Sequence, residues 1–350
     1  VNDLLRRCLD DLEARLDPQE EEALLAAWRD FTGDRFGGDI FSPRRRRPAP
    51  PAVAWPTVSV NAALEDFDLM ALQQFGQCSA QLAEASGAVL NVRPNYGTSI
   101  VPLLFGVEPF VMDADLETLP TSQPLNDLAA IRRLVAAGAP DLTAGYGARV
   151  MEMGQRYIEI AREYPKIGKY VFIYHPDLQG PMDICEVVWG SAIFYAMRDD
   201  PTLVRDMLEL AAATYSAFMR AWEKIVPFRE DGNAHWGMLH RGKIMLRDDS
   251  AVNFSPRMYR DFIAPYDQRL LDEFDGGAIH FCGTGDHFIE AMSQLHGLHA
   301  FQISQPELND MEKIFCHTVD KGIKLLGLKR EAAGAALARG RDLRSQVHCF

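Results

Sequence analysis

Ala278-Ile279-His280-Phe281-Cys282-Gly283-Thr284-Gly285-Asp286-His287 is the stretch that decides the fold. Side chains alternate along a strand, so His280 and Cys282 project to one face and Phe281 to the other. Gly283 and Gly285 then allow a sharp backbone turn. A strand that ends in chemistry and a tight turn is what the C-terminal face of a parallel α/β barrel presents.

Working outward, further short β-like runs are read at 88–92, 170–174, 243–246, 299–303, 323–328 and 345–349, alternating with helical stretches. Asp200-Pro201 opens the clearest helix, whose buried face is Val204, Met207, Leu208, Ala211, Tyr215, Phe218 and Trp222. Ser255-Pro256 opens another, with Tyr259, Phe262 and Ile263, until Pro265 interrupts it. This alternation predicts an α/β fold, a (β/α)8 TIM barrel over residues 57–350, with a doubly wound sheet as the alternative.

Residues 1–56 read as an N-terminal helical extension. Leu4, Leu5, Cys8, Leu9, Leu12 and Leu16 mark a first helix, with Cys8 as a core thiol. Asp17-Pro18 and Glu20 start a second helix that stops at Gly33. Residues 41–56 hold Arg44 to Arg47 and five prolines. They predict an extended connection with solvated arginines.

The 350 residues are 47% apolar and 24% charged, the balance of a folded globular protein. Thirty-six Lys and Arg against 49 Asp and Glu give −13, which argues against nucleic acid or an anionic membrane as partner. There is no run of ~20 apolar residues. Residues 1–16 carry acids where a secretory leader is basic and then apolar, so a cytoplasmic protein with a small-molecule substrate is expected. Six cysteines are too sparse for a disulfide scaffold.

An imidazole and a thiolate two residues apart can share one borderline cation such as zinc, although a buried His beside a small thiol is also ordinary packing. A catalytic zinc takes three protein ligands. Cys349 ends the last strand-like run and is the candidate third; Cys316, its rival, lies in a helical stretch and is read as facing the core. Asp248-Asp249-Ser250 follows another strand, where neighbouring carboxylates raise one another's pKa and Asp249 can donate a proton or hold substrate; the alternative is a turn of solvated acids. Arg93, within Asn91 to Gly97, can clamp a carboxylate or pair with an acid. His235, Trp236 and His240 either line the same mouth or pack. The dinucleotide fingerprint, the Walker lysine motif and the Gly-x-Ser-x-Gly elbow are missing, which weighs against nicotinamide, ATP and serine-hydrolase chemistry.

Over roughly residues 85 to 350 the order of motifs resembles the uroporphyrinogen decarboxylase superfamily. Leu178-Gln179-Gly180-Pro181-Met182-Asp183 resembles its Gly-Pro segment, and Arg198-Asp199-Asp200-Pro201 its aspartate-proline helix start. Asp249 with Ser255-Pro256-Arg257-Met258-Tyr259-Arg260 and Pro265 resembles its strand-end aspartate and following helix. His280-Phe281-Cys282-Gly283 is similar to the His-x-Cys-Gly element of the corrinoid-linked methyltransferase branch. The resemblance implies zinc on His280, Cys282 and Cys349, activating a thiol for methyl transfer from a methylcorrinoid on a carrier protein. Asp249 would then orient the substrate, Arg93 hold an anionic tail, Tyr96 and Trp236 wall the pocket, and Asn95, Gln179 and His240 complete the binding set. It also implies a homodimer. The arginine-rich N-terminal substrate segment and the late Gly-His-Gly element of the true decarboxylases are missing, and Val347-His348-Cys349 stands in place of the latter. The alternatives are a carboxy-lyase acting on a polycarboxylate or tetrapyrrole and a non-catalytic small-molecule-binding barrel.

Overall fold

Strands of a parallel sheet are covered on both faces, so their residues are buried without the polar alternation of an exposed sheet. Gly277–Phe281 meets that description, with all five residues buried. The computed structural model describes residues 2–350 and shows this strand next to one edge of a six-stranded parallel sheet, paired on both sides.

The parallel strands are β1 (Ile40–Phe41), β2 (Asn91–Val92), β3 (Phe172–Ile173), β4 (Ile244–Arg247), β5 (Gly277–Phe281), β6 (Leu298–Ile303), β7 (Lys324–Leu326) and β8 (Val347–His348). Six of them form one sheet in the order β1-β8-β7-β6-β5-β4, and β2 and β3 form a separate parallel pair. All seven expected strand regions contain a strand. The eighth, β1, lies at the start of the expected connection 41–56 and was not among the expected strands, because two residues carry no periodicity. Its register comes from β8, through Ile40↔Val347 and Phe41↔His348, and from Phe41 stacking on Phe31 with ring centroids 4.5 Å apart.

The helices begin where the caps predict. Helix α1 (Asp3–Arg15) buries Leu5, Cys8, Leu9 and Leu12, and α2 (Pro18–Thr32) has Asp17 accepting the Gln19 N–H at its start and Gly33 at its end. Helix α3 (Pro201–Glu223) is capped by Asp200 and buries the whole face listed from its periodicity. Helix α4 (Pro256–Phe262) is capped by Ser255 and gives way to α5 (Ala264–Glu273), with Pro265 in the first turn of α5.

One continuous apolar core runs from Leu5 to Cys349. The change in composition at residue 56 is therefore local, and packing runs across it. Arg45 shows why. It is buried, forms a two-pronged pair with Glu21, and donates to the carbonyls of Ser86 and Ala88, which corrects its reading as a solvated loop residue.

The antiparallel hairpin of Asn233–His235 and Met238–His240 precedes β4 and is buried, with His235 and His240 almost inaccessible. Its tip is strained. Trp236 has φ +49°, a left-handed conformation costly for a bulky residue, beside Gly237 at φ +79°. Among the described residues no helix is long and apolar enough to cross a membrane.

Candidate metal centre

Register sets the level of the centre. Arg247 in β4 pairs with His280 in β5, which pairs with Gln302 in β6, so three polar side chains share one row. Just beyond the row the chain turns, and Asp249 and Cys282 leave the ends of their strands toward His280.

Sγ of Cys282 lies 3.4 Å from Nε2 of His280, and an Asp249 Oδ1 lies 3.5 Å from the same nitrogen. Gln302 accepts a hydrogen bond from Nδ1 of His280, which places the imidazole proton there and leaves Nε2 as a lone pair facing the other two groups. Asp249 Oδ1 also accepts the backbone N–H of Cys282 at 2.8 Å. Asp249 is held in turn by Asp183, whose two carboxylate oxygens accept the N–H groups of Asp249 and Ser250, each at 2.8 Å, while the Ser250 hydroxyl donates to Glu186. The turn after Cys282 is tied to the loop after β6. Gln305 accepts the Gly283 N–H, and Asn309 accepts from Gly285 and donates to the Gly283 carbonyl.

His280 is buried, whereas Cys282 and Asp249 are partly open. Burial pushes the His280 imidazole below its ordinary value, with the Asp249 charge acting against it. Burial likewise raises the Cys282 thiol, and the Asp249 carboxylate adds to the rise. Behind the turn, burial and the neighbouring acids raise the carboxyl groups of Asp183, Asp248 and Asp267.

The donor set suits a metal. Tetrahedral ligands at roughly 2.0 to 2.3 Å from zinc stand about 3.3 to 3.8 Å apart. The two measured separations of 3.4 and 3.5 Å fall in that range. Among the described residues, Asp249, His280 and Cys282 are the single group of three or more His, Cys, Asp or Glu side chains whose ligand atoms all lie within 4.8 Å of one another.

Cys349 is not in that group. It follows β8, three ladder steps from β5, or about 14 Å measured along the sheet. Its backbone N–H bonds Phe41, and its thiol is buried beside Arg330 and Glu331, pushed up to about 11. Asp249 takes the place expected of it. Cys316, expected to face the core, is exposed beside Glu312.

The expected binding residues divide. Trp236 stands edge-on to His280, with centroids 5.0 Å apart, and its face is covered by the Arg247 guanidinium at 4.7 Å. Arg93 is partly open, donates to Asn95 at 3.1 Å, and is bound to Asp177. Tyr96 and Gln179 are buried, and Tyr96 packs on Tyr146. His240 is buried against His235, so it does not line the mouth.

Sequence reading missed Asp177, Arg247, Gln302 and Asp183. Asp177 gathers Arg93, Arg247 and the Trp236 indole N–H, two cations around one anion beneath the centre. Asp183 lay in the Gly-Pro segment, and Gln302 had a local signal as a polar residue inside the β-like run 299–303.

The chain matches no protein-family model and none of the curated proteins with which it was compared.

Proposed function

We propose that the protein is a zinc-dependent, methyltransferase-like enzyme that activates a thiol, with His280, Cys282 and Asp249 as ligands. The convergence of an imidazole nitrogen, a thiol and a carboxylate within 4.8 Å of one another, with the thiol and the carboxylate each at tetrahedral spacing from the imidazole, carries this reading. When bound, zinc lowers the pKa of a substrate thiol so that the thiolate nucleophile exists at neutral pH. The resemblance to the corrinoid-linked branch names the methyl donor, a methylcorrinoid on a carrier protein.

The residues around the centre divide the remaining work. Gln302 fixes the His280 tautomer, Asp183 fixes the Asp249 turn, and Trp236 shields one flank from water. Arg93 and Arg247 exceed Asp177 by one positive charge, which suits a substrate with an anionic tail reaching Arg93 at the rim.

A (β/α)8 barrel is the architecture this reading requires. It is supported by eight parallel strands that follow one another in chain order, with β8 beside β1. Across the first gap in the ladder Gly180 N–H bonds the Arg247 carbonyl at 2.8 Å, and across the second Arg45 bridges to Ser86 and Ala88.

Element analysis of the purified protein tests the proposal. One zinc per chain, lost in H280A and C282S, supports it. Metal-free protein, or full metal content in both variants, overturns it and turns attention to the carboxy-lyase reading, in which Arg93 faces a polycarboxylate.

A further inference from the structure

The turn that carries Cys282 out of β5 is held by side chains. Cys282 gives its N–H to Asp249 at 2.8 Å, Gly283 to Gln305 at 2.6 Å, and Gly285 and Asp286 both to the side-chain oxygen of Asn309, at 2.6 and 3.1 Å. Asn309 also donates. Its Nδ2 reaches the Gly283 carbonyl at 3.0 Å and the Gln305 carbonyl at 2.8 Å.

A side-chain amide offers two lone pairs and two N–H groups, and in Asn309 all four are taken by backbone. The partners fix its orientation. Reversed, its nitrogen would face two N–H groups and its oxygen two carbonyls. No other side chain fills the set: aspartate keeps the two acceptor contacts and loses both donors, and alanine loses all four.

The fold holds Asn309 from both sides. A single 3-10 turn, Pro306–Leu308, follows β6, and the Asn309 N–H closes on the Pro306 carbonyl at 3.1 Å. Asp310 then caps the next helix, Met311–His317, by accepting the N–H groups of Glu312 and Lys313. The turn that Asn309 grips belongs to no strand or helix and contains Gly283 at φ +81°. Two glycines in such a turn leave the chain beyond β5 free to swing unless something else fixes it.

We propose that Asn309 is a positioning residue for Cys282, setting where the thiol stands relative to His280 by holding the peptide units that follow it. Asp249 fixes the peptide before the thiol, and Asn309 fixes those after it. The Sγ to Nε2 separation of 3.4 Å is then a property of the folded chain, present before any ion arrives. The role assigned to Asn309 rests on the reading of Cys282 as a metal ligand, whereas the clamp itself belongs to the metal-free chain.

Amide hydrogen exchange of the full metal-free chain, read by NMR, tests the clamp. In the parent protein Gly285 and Asp286 should exchange about 10-fold or more slower than in an unstructured peptide. N309A should release both, leave Ile279 and Phe281 of β5 protected, and speed the alkylation of Cys282 by iodoacetamide. The alkylation is measured in a C316S background because Cys316 is also exposed. N309D, which keeps the acceptor, should keep the two amides protected. With zinc added, N309A should bind about 10- to 100-fold more weakly than the parent, and its cobalt form should keep a thiolate band of altered energy or intensity, since the ligand is present but displaced.

Equal exchange at Gly285 and Asp286 in N309A and the parent overturns the proposal. Released amides with unchanged alkylation and unchanged zinc affinity overturn it as well. If the parent binds no zinc, the metal reading fails, and the alkylation rate alone decides whether Asn309 positions the thiol. Should N309A not fold, exchange in the unmodified protein decides: protection at Gly285 and Asp286 supports the clamp, and exchange at the peptide rate removes it.

Discussion

Gln302 is the cross-strand neighbour of His280, and its side-chain oxygen holds the Nδ1 hydrogen of that imidazole. The bond converts a strand register into a metal-ready lone pair, because it fixes both the tautomer and the plane of the ring.

Removing that acceptor should loosen the centre without unfolding the sheet. Q302L is expected to weaken zinc binding by about 10- to 100-fold, the usual cost of losing a histidine's outer partner. Q302E, which keeps an acceptor oxygen, should retain most of the affinity. Competition against a chromophoric chelator measures both, and equal affinity of Q302L and the parent protein would remove Gln302 from the centre.

The two strand-end cysteines should separate cleanly. C349S keeps full metal content because Cys349 lies three strands from His280, while C282S and D249N each lose a ligand. Cobalt substitution reads the thiolate directly: its charge-transfer band should survive in C349S and disappear in C282S. Loss of the band in C349S instead would restore the terminal cysteine as ligand.

Arg45 and Glu21 are both buried and joined by two hydrogen bonds, of 2.6 and 2.7 Å. R45M strands the Glu21 charge, at an expected cost of about 3 to 5 kcal/mol. Combining it with E21L should recover a large part of that loss, leaving only the carbonyl bonds to Ser86 and Ala88 unmet. Denaturant midpoints of the single and double variants measure the coupling; additive losses would show that the pair does not act as a unit.

His348 is 1% exposed, packs on Trp28, and accepts the Gly327 N–H through Nδ1. Burial, aided by the Arg330 charge, holds it down to about 3. It is therefore neutral in the folded chain at pH values where the unfolded chain, titrating near 6.5, binds a proton. Its contribution to stability is full above pH about 6.5 and falls as pH drops toward 3, by up to about 1.4 kcal/mol per pH unit. H348Q retains an acceptor for Gly327 and loses the titration. The stability difference between the two proteins should narrow on acidification, and a difference constant with pH would mean that His348 is not held neutral.

Local order was legible in the chain. The caps at Asp17, Asp200 and Ser255 act through atoms two or three residues away, and the alternation of His280 and Cys282 follows from one backbone conformation. The two-residue strand β1 escaped because its pairing depends on β8, some 300 residues later in the chain. Arg45 escaped for the same reason, since Glu21 and the carbonyls that bury it come from separate elements.

By itself, then, the sequence determined where strands and helices lie and that an imidazole and a thiol leave one strand on the same side. Tertiary structure decided which third group meets them. Asp249 arrives because β4 is hydrogen-bonded to β5, and Cys349 stays away because β6 and β7 stand between. The register of three strands likewise aligned Arg247, His280 and Gln302, and packing set His235 and His240 of the hairpin before β4 against His175, which lies 60 residues before His235. Spacing along a chain constrains only neighbours joined by a few rotatable bonds, whereas contact across a sheet is set by which backbones share hydrogen bonds.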